Sequence, residues 1–419
     1  MSNISATIEQ QKSIDFKTKF FRKMIFKNLY KIKNGSIIIE DQLGTTCCGE
    51  LNHTNKINLH ITNLNFYNLV FLKGSIGFAI AFMNNFIQTS NLTNLLIILA
   101  KNLNFIEKAE SNITSYFFNL TQKTLYLLNK NTPQKAKTHI MQHYDISNDF
   151  FKLFLDEGMS YSSLMFYDKD NTLNIAAYNK IKNLIKKLQI RPKEQILEIG
   201  TGWGALAIEI ALKHDCRVTT TTISNAQFAY TKHKIDSLKL NHKINLLNID
   251  YRSLNGKYDK IISVEMIEAV GHQYFTDYFK ICSELLNDDG LFVLQCILIR
   301  DQEYERAKNE VDFIKKFIFP GGCLPSMQKI MQIISKHTDL SLFNFQDITY
   351  DYAITLRKWR ENFHKNSVKI LQLGFDEYFL KMWEYYFSYC EAGFLNRNII
   401  CAQIVLTKKD YSPSFIKNE

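Results

Sequence analysis

Gln195-Ile-Leu-Glu-Ile-Gly-Thr-Gly-Trp-Gly-Ala-Leu-Ala207 is the stretch on which the reading of this chain turns. Its apolar start predicts a buried strand ending at Glu198, after which Gly200, Gly202 and Gly204 let the backbone turn tightly before a helix begins. Only residues without a Cβ let a ligand come that close to the main chain. The spacing is Gly-x-Gly-x-Gly rather than the Gly-x-Gly-x-x-Gly of dinucleotide folds, and no phosphate-binding lysine follows. A nucleoside without phosphates fits better than a pyrophosphate, so the turn reads as a site for S-adenosylmethionine. A second β-like run, Cys216 to Thr222, leads into Thr222-Ile-Ser-Asn-Ala-Gln227 at the strand end where open parallel sheets bind ligands. Thr222 and Gln227 could hydrogen-bond a ribose there; the plainer reading of Gln227 is a solvated residue in a first helical turn.

The 419 residues allow about two to three domains and a sizeable buried core. The net charge of +10 favours anionic partners. No zinc-finger spacing, RNA-binding aromatic signature or helix-turn-helix pattern is present, which places a membrane surface ahead of nucleic acid. Eight cysteines lie scattered through apolar runs without a Cys-x-x-Cys, a distribution that predicts buried thiols in a reducing, cytoplasmic compartment rather than disulfides or a metal site. The start of the chain lacks the apolar core of a signal peptide. The apolar stretches Phe71 to Met83 and Leu92 to Ala100 are interrupted or short and are not expected to span a bilayer.

Residues 1–34 become basic and aromatic, with Lys19, Lys23, Lys27 and Lys31 on one helical face and Phe21, Ile25, Leu29 and Ile32 on another. Two readings are open: a helix lying on an anionic membrane, or one packing its apolar side on the neighbouring domain. Residues 35–103 read as a small α+β domain, with strands at Ser36 to Glu40 and Lys56 to Thr62 and helical periodicity around Leu69 to Phe86 and Leu92 to Leu103. Residues 104–135 read as a helical connector. From Leu188 onward a β/α alternation, continuing through Gly290-Leu-Phe-Val-Leu-Gln295, predicts a mainly parallel sheet covered on both faces, within a domain spanning 136–410.

Upstream of the glycine turn stand His143-Tyr-Asp-Ile-Ser-Asn-Asp-Phe-Phe151 and Met159-Ser-Tyr-Ser-Ser163. Downstream come Val264-Glu-Met-Ile-Glu-Ala-Val-Gly271, Phe317-Ile-Phe-Pro-Gly-Gly-Cys-Leu-Pro-Ser326, Tyr352-Ala-Ile-Thr-Leu-Arg-Lys-Trp359 and Tyr385-Tyr-Phe-Ser-Tyr-Cys-Glu-Ala-Gly-Phe394. Together these motifs, over roughly residues 140 to 405, resemble the cyclopropane-fatty-acyl-phospholipid synthase family, which includes the mycolic acid cyclopropane synthases. More loosely, Ile57-Asn-Leu-His60 and Lys73-Gly-Ser-Ile-Gly-Phe78 look like that family's smaller lipid-binding domain. The resemblance implies an α/β fold: a Rossmann-like class I methyltransferase domain with a smaller N-terminal α+β lipid-binding domain. It implies methyl transfer from S-adenosylmethionine to a cis double bond of an unsaturated phospholipid acyl chain, at a membrane to which the protein binds peripherally. A homodimer is compatible with it.

The chemistry sets demands on such a site. An alkene is a poor nucleophile and its methylation leaves a carbocation, so water must be excluded and the donor held close. A base then removes a proton from the new methyl group. In the family that base is thought to be a bound bicarbonate, held by a cysteine, a glutamate, a histidine, a tyrosine and a backbone amide. By motif, the glutamate falls on Glu268, the tyrosine on Tyr352 and the amide on Ile297, while Ser163 stands at the cysteine position and Gln295 at the histidine position. Serine and glutamine still donate hydrogen bonds to an anion but carry no titratable charge. The combination reads as a subtype and leaves the proton-abstraction step, and the product, open.

Tyr144, Tyr161 and Ser162 match positions that surround the methionine part of the cofactor in the family, and an aromatic face beside a sulfonium supplies cation–π stabilisation. Trp203 and Asp250 complete the expected cofactor-binding set. Ser163 could instead cap a turn, and Gln295 could satisfy backbone groups. Whether Glu265 faces the same way as Glu268 depends on where its strand ends. Phe317 to Ser326 reads as a turn beside an acyl channel or as a connector. Phe363, Trp383, Tyr385 and Tyr386 would suit a lipid tunnel or an ordinary core, and Cys390 reads as a core thiol. Two alternatives to a cyclopropane-forming enzyme stand: a lipid C-methyltransferase giving a methyl-branched or methylene product, and a catalytically silent lipid-binding protein.

Overall fold

Alternation makes the first strands one-sided. In Ser36–Asp41 (β1), Ile37 and Ile39 are buried, and after the hairpin strand Gly44–Gly49 (β2) the same pattern returns at Ile57, Leu59 and Ile61 of Lys56–Ile61 (β3). The computed structural model of the chain describes residues 15–50, 53–102, 147–168 and 170–413, which fall into two compact units on either side of the gap between 102 and 147. The expected connector at 104–135 lies outside the described residues.

In the first unit the sheet order is β2-β1-β3-β4, the last strand being Ile87–Thr89. β1 and β3 run parallel, and the outer strands are antiparallel to their neighbours. The reading of the sequence missed β2 and β4, because Gly-Thr-Thr-Cys-Cys-Gly carries no apolar alternation and β4 has only three residues. The helix Asn65–Met83 is, by length and composition, the one described helix long and apolar enough to cross a membrane. It is kinked at Gly74, where φ is 54° and ψ is −134°, and half of its apolar window is buried within the protein.

The basic N-terminal segment forms the helix Phe16–Leu29, capped by Asp15. Its apolar side packs inward: Phe21 and Phe26 are buried, and the Phe21 ring stacks on Phe71 at 4.0 Å between centroids. Arg22 pairs with the shielded carboxylate of Asp41 at 2.7 Å, and Tyr67 donates its hydroxyl to the same group. Phe16, Phe20 and Tyr30 remain exposed beside Lys19, Lys23 and Lys27.

The second unit is built on seven strands: β5 (Gln195–Ile199), β6 (Arg217–Thr221), β7 (Ile244–Leu247), β8 (Tyr258–Val264), β9 (Leu286–Ile299), β10 (Ser341–Asp347) and β11 (Ile399–Thr407). Their order is β10-β11-β9-β8-β5-β6-β7. Neighbours from β7 to β9 pair in parallel, and β11 runs antiparallel to both β9 and β10. Ile196, Leu197 and Ile199 of β5 are all buried, as expected of a strand covered on both faces. The chain steps from β5 out to β6 and β7, then returns to place β8 on the other flank of β5. That reversal opens a crevice at the carboxyl ends of β5 and β8, where such sheets bind ligands.

Two long helices, Thr349–Lys365 and Glu377–Leu395, pack together beside the sheet. Glu391, almost fully buried, is held between them by Arg357 at 2.8 Å and Arg360 at 3.0 Å. Around Trp383 lies an aromatic core in which Phe150, Phe154 and Phe387 surround the indole. Trp383 and Phe363 are therefore core residues.

Candidate active site

The glycine turn follows β5 as its sequence requires. Gly200, Gly202 and Gly204 have φ of 96°, 52° and 85°, the left-handed region that side chains resist. They differ in surroundings. A Cβ on Gly204 would lie 2.7 Å from Thr231 Cγ2, so this glycine serves helix packing, whereas a Cβ on Gly202 would meet nothing within 4 Å. Gly202 thus presents bare main chain to open space, the feature a closely bound nucleoside needs. The amides of Gly200 and Thr201 donate to the Thr221 carbonyl at 3.1 and 2.9 Å, tying the turn to the end of β6. There Thr222 donates to Gln227 Oε1 at 2.9 Å and both are buried, so Gln227 is not a solvated first-turn residue.

Across the crevice, β8 ends at Val264, and an early turn brings both Glu265 and Glu268 into the site. Glu265 adopts φ 50°, an uncommon conformation for a residue with a side chain. Between the two carboxylates, Met266 reaches the glycine turn: a Cβ on Gly200 would lie 3.4 Å from Met266 Cγ. The Phe317 to Ser326 stretch is more than a connector, since the Cys323 amide donates to the Glu268 carbonyl at 2.8 Å and Pro325 accepts from Ile299 at 2.9 Å.

Ser163, Gln295, Tyr352, Ile297 and Glu268 are brought together, with an unexpected centre. Glu265 Oε1 accepts from the Ser163 amide at 2.9 Å and from Gln295 Nε2 at 2.9 Å, and Oε2 accepts from the Tyr352 hydroxyl at 2.8 Å. The Ile297 amide donates to Glu268 Oε1 at 2.5 Å, while Glu268 Oε2 is shielded and has no hydrogen-bond partner. Of the groups expected to hold bicarbonate, Gln295, Tyr352 and the Ile297 amide thus each donate to a carboxylate of the chain. The Ser163 hydroxyl turns instead to the Leu164 carbonyl at 3.2 Å. Gln295 lies inside β9 rather than at its end, opposite Val264. Its orientation is fixed by a chain of amides: Asn183 Nδ2 donates to Gln403 Oε1 at 2.6 Å, and Gln403 Nε2 to Gln295 Oε1 at 3.0 Å.

Desolvation pushes both carboxyl groups up, Glu268 to about 8, with the charge of Glu265 adding to the effect. Hydrogen bonds from Gln295, the Ser163 amide and Tyr352, with the charge of Lys180, oppose the shift at Glu265. Of the pair, Glu265 is therefore the better-stabilised anion and Glu268 the group held neutral. Lys180, overlooked in the sequence, is buried and donates to Ser162 Oγ at 3.0 Å. Burial pushes its ammonium down, against the charges of Asp156, Glu265 and Glu198. Glu198 is likewise buried, accepts from Thr220 at 2.5 Å, and is pushed up to about 8 by desolvation. A signal existed: Lys180 sits among Ala176, Ala177, Ile181 and Leu184 on the apolar stripe of the helix Leu173–Leu188.

Tyr161 stacks on Trp359, centroids 5.4 Å apart at 24°, and its hydroxyl lies 3.0 Å from that of Tyr386. Tyr352 stacks on Phe394 at 4.3 Å. These rings put an aromatic wall next to Glu265. Trp203 is buried against Phe151 and donates to Asn148 at 2.9 Å, so its side chain packs into the protein. Asp250 accepts from Arg252 Nε and Nη2 at 2.8 and 2.6 Å and from the Arg252 amide at 2.9 Å, which makes its carboxylate an ion-pair partner rather than a free acceptor. Tyr144 lies outside the described residues. Cys390 is half-buried, with its thiol pushed up by desolvation; all eight cysteines are free thiols.

An open glycine turn after the first parallel strand, on a seven-stranded sheet with one antiparallel strand inserted near its edge, defines a class I S-adenosylmethionine-dependent methyltransferase. Comparison with known proteins narrows this. The family model for mycolic acid cyclopropane synthetase matches residues 131–404, and the chain belongs to that family of S-adenosylmethionine-dependent lipid-modifying transferases. It is 34% identical over 339 residues to tuberculostearic acid methyltransferase of Mycobacterium tuberculosis, covering 77% of this chain and 76% of that protein. To the cyclopropane-fatty-acyl-phospholipid synthase of Escherichia coli it is 30% identical over 360 residues, covering 85% and 90%. Among solved structures, mycolic acid cyclopropane synthase CmaA1 with SAH and CTAB superposes with a TM-score of 0.61 at 27% identity, over 65% of this chain and 98% of that one.

Proposed function

We propose that this protein methylates the cis double bond of an unsaturated phospholipid acyl chain and closes the product to a cyclopropane. The observation that carries the reading is the pair Glu265 and Glu268, set in one crevice with the bare main chain of Gly202 and walled by Tyr161, Trp359 and Tyr352. Gly200 and Gly202, with Thr222 and Gln227 behind them, would hold the nucleoside of S-adenosylmethionine, and Tyr161 would flank its sulfonium. When bound, that cofactor supplies an electrophilic methyl group. The aromatic wall excludes water and faces developing positive charge with ring π-density. The carboxylate pair places a negative charge where the alkyl cation forms. At the protein surface, Lys19, Lys23 and Lys27 beside exposed Phe16, Phe20 and Tyr30 suit an anionic membrane.

A second reading, a methyl-branched or methylene product, is favoured by the similarity to the tuberculostearic acid methyltransferase. Incubation with labelled S-adenosylmethionine and unsaturated phospholipid, followed by mass and proton NMR analysis of the acyl chains, decides between them. Shielded ring protons support the cyclopropane, olefinic methylene or branched-methyl signals support the second reading, and label absent from the lipid defeats both.

A further inference from the structure

Lys180 carries a buried ammonium whose hydrogen-bond partner among the described residues is a neutral hydroxyl. It projects from the apolar stripe of the helix Leu173–Leu188, and its Nζ donates to Ser162 Oγ at 3.0 Å without forming an ion pair among the described residues. The carboxyl groups whose charges face it are held by other donors. Asp156 accepts from the Gly158 and Ser160 amides, both at 2.8 Å, Glu265 from the Ser163 amide, Gln295 and Tyr352, and Glu198 from Thr220. An ammonium so far removed from water is costly with one neutral partner. The hydrogen bond also fixes a direction. Lysine only donates, so Ser162 Oγ is the acceptor and its own proton turns away from Lys180, where no described residue takes it. Ser162 lies between Tyr161, whose ring is stacked on Trp359, and Ser163, whose amide is bonded to Glu265. Its loop rests against the end of the glycine turn: a Cβ on Gly158 would be 3.4 Å from the Cβ of Ala205, the first residue of the helix that follows Gly204. Lys180 and Ser162 thus set a buried positive charge behind an oriented O–H donor beside that turn, the complement of a carboxylate.

We propose, resting on the placement of S-adenosylmethionine at this turn, that Lys180 secures the carboxylate of the cofactor's methionine half through Ser162. The ammonium polarises the Ser162 hydroxyl, which donates a hydrogen bond to that carboxylate. Lys180 is a positioning residue in this arrangement, since the contact with the cofactor is made by Ser162. Anchoring the carboxylate beside Tyr161 fixes the direction of the sulfonium methyl, and the buried cation makes the site select ligands that carry the carboxylate.

Calorimetry with three ligands separates this role from a merely structural one. Decarboxylated S-adenosylmethionine keeps the adenosine, sulfonium and amine but lacks the carboxylate, and 5′-methylthioadenosine lacks the amino-acid part altogether. The intact protein is expected to bind S-adenosylmethionine at least about tenfold more tightly than its decarboxylated form. Lys180→Met should lower the affinity for S-adenosylmethionine by at least about tenfold while its affinity for the other two does not fall, so that the preference for the carboxylate disappears. Ser162→Ala should show the same selective loss with the buried charge in place. Combined with Lys180→Met it should add little, as expected of residues that act in series. Equal binding of S-adenosylmethionine and its decarboxylated form by the intact protein, a parallel loss for all three ligands in either variant, or additive losses in the double variant overturns the proposal. If Lys180→Met does not fold, Ser162→Ala decides alone. If the intact protein binds neither S-adenosylmethionine nor 5′-methylthioadenosine, the placement of the cofactor at the glycine turn fails, and the role of Lys180 falls with it.

Discussion

Two glycines in one turn should fail in different ways when given a methyl group. At Gly202, φ is 52° and a Cβ would meet nothing within 4 Å, so alanine costs only backbone strain, about 1–2 kcal/mol. At Gly204 the same kind of strain at φ 85° is joined by a contact of 2.7 Å to Thr231 Cγ2, on a residue fully buried in the helix Asn225–Ser237. Overpacking of this kind adds about 1–3 kcal/mol, for a total of about 2–5 kcal/mol. At about 2–4 °C per kcal/mol in a domain of 150 to 250 residues, Gly204→Ala should melt roughly 4–20 °C lower and Gly202→Ala roughly 2–8 °C lower. Affinity should reverse the order. If a nucleoside lies against the bare main chain, Gly202→Ala loses most of its calorimetric affinity for S-adenosylmethionine, while folded Gly204→Ala keeps much of it. Thr231→Ser, which deletes the offending Cγ2, should return part of the stability lost in Gly204→Ala, a coupling that a double-mutant cycle measures. Unchanged cofactor affinity in Gly202→Ala would refute the placement of the ligand, and absence of coupling to Thr231 would refute the packing argument.

Other expectations concern the buried charges. Glu198 and Glu268 keep their protons to about pH 8 when folded, against an ordinary value of 4.5. Between these limits the folded state binds more protons than the unfolded one, so stability falls as pH rises, by about 1.4 kcal/mol per pH unit for each group. Denaturant melts from pH 5 to 8 should show this fall, and Glu268→Gln should make it shallower; an unaltered slope would contradict the shift at that group. Lys180→Met removes the buried ammonium that donates to Ser162 and faces Asp156 and Glu265, and should destabilise the protein at neutral pH by about 1–3 kcal/mol. Equal stability of variant and parent in urea would disprove that balance. Gln403→Leu leaves Gln295 Oε1 without its donor at a cost of about 1–3 kcal/mol, and should lower the maximal rate while cofactor affinity stays constant. Calorimetry that showed equal loss of affinity would rule out a purely positioning role.

What could be read from the chain was local. The apolar run before Gly200, the polar end after β6 and the alternation in β1 and β3 each follow from neighbours within a few residues, so strands and the glycine turn were legible. β2 and β4 escaped because neither carries such a pattern. The choice left open for the N-terminal helix was settled for its apolar side by Phe71, whose stacking on Phe21 no periodicity could reveal.

The ordered motifs placed Ser163, Gln295, Ile297, Tyr352 and Glu268 in one family's pattern, but which group each of them touches was decided by the tertiary structure. β8 stops at Val264, and the left-handed turn at Glu265 brings two carboxylates to the same side when continued alternation would have separated them. That turn hands the donors Ser163, Gln295 and Tyr352 to Glu265 and leaves Glu268 with the Ile297 amide. Lys180 and Gln403 enter through the same logic, because a buried polar group takes its meaning from partners that are remote in sequence and adjacent only once the sheet has formed.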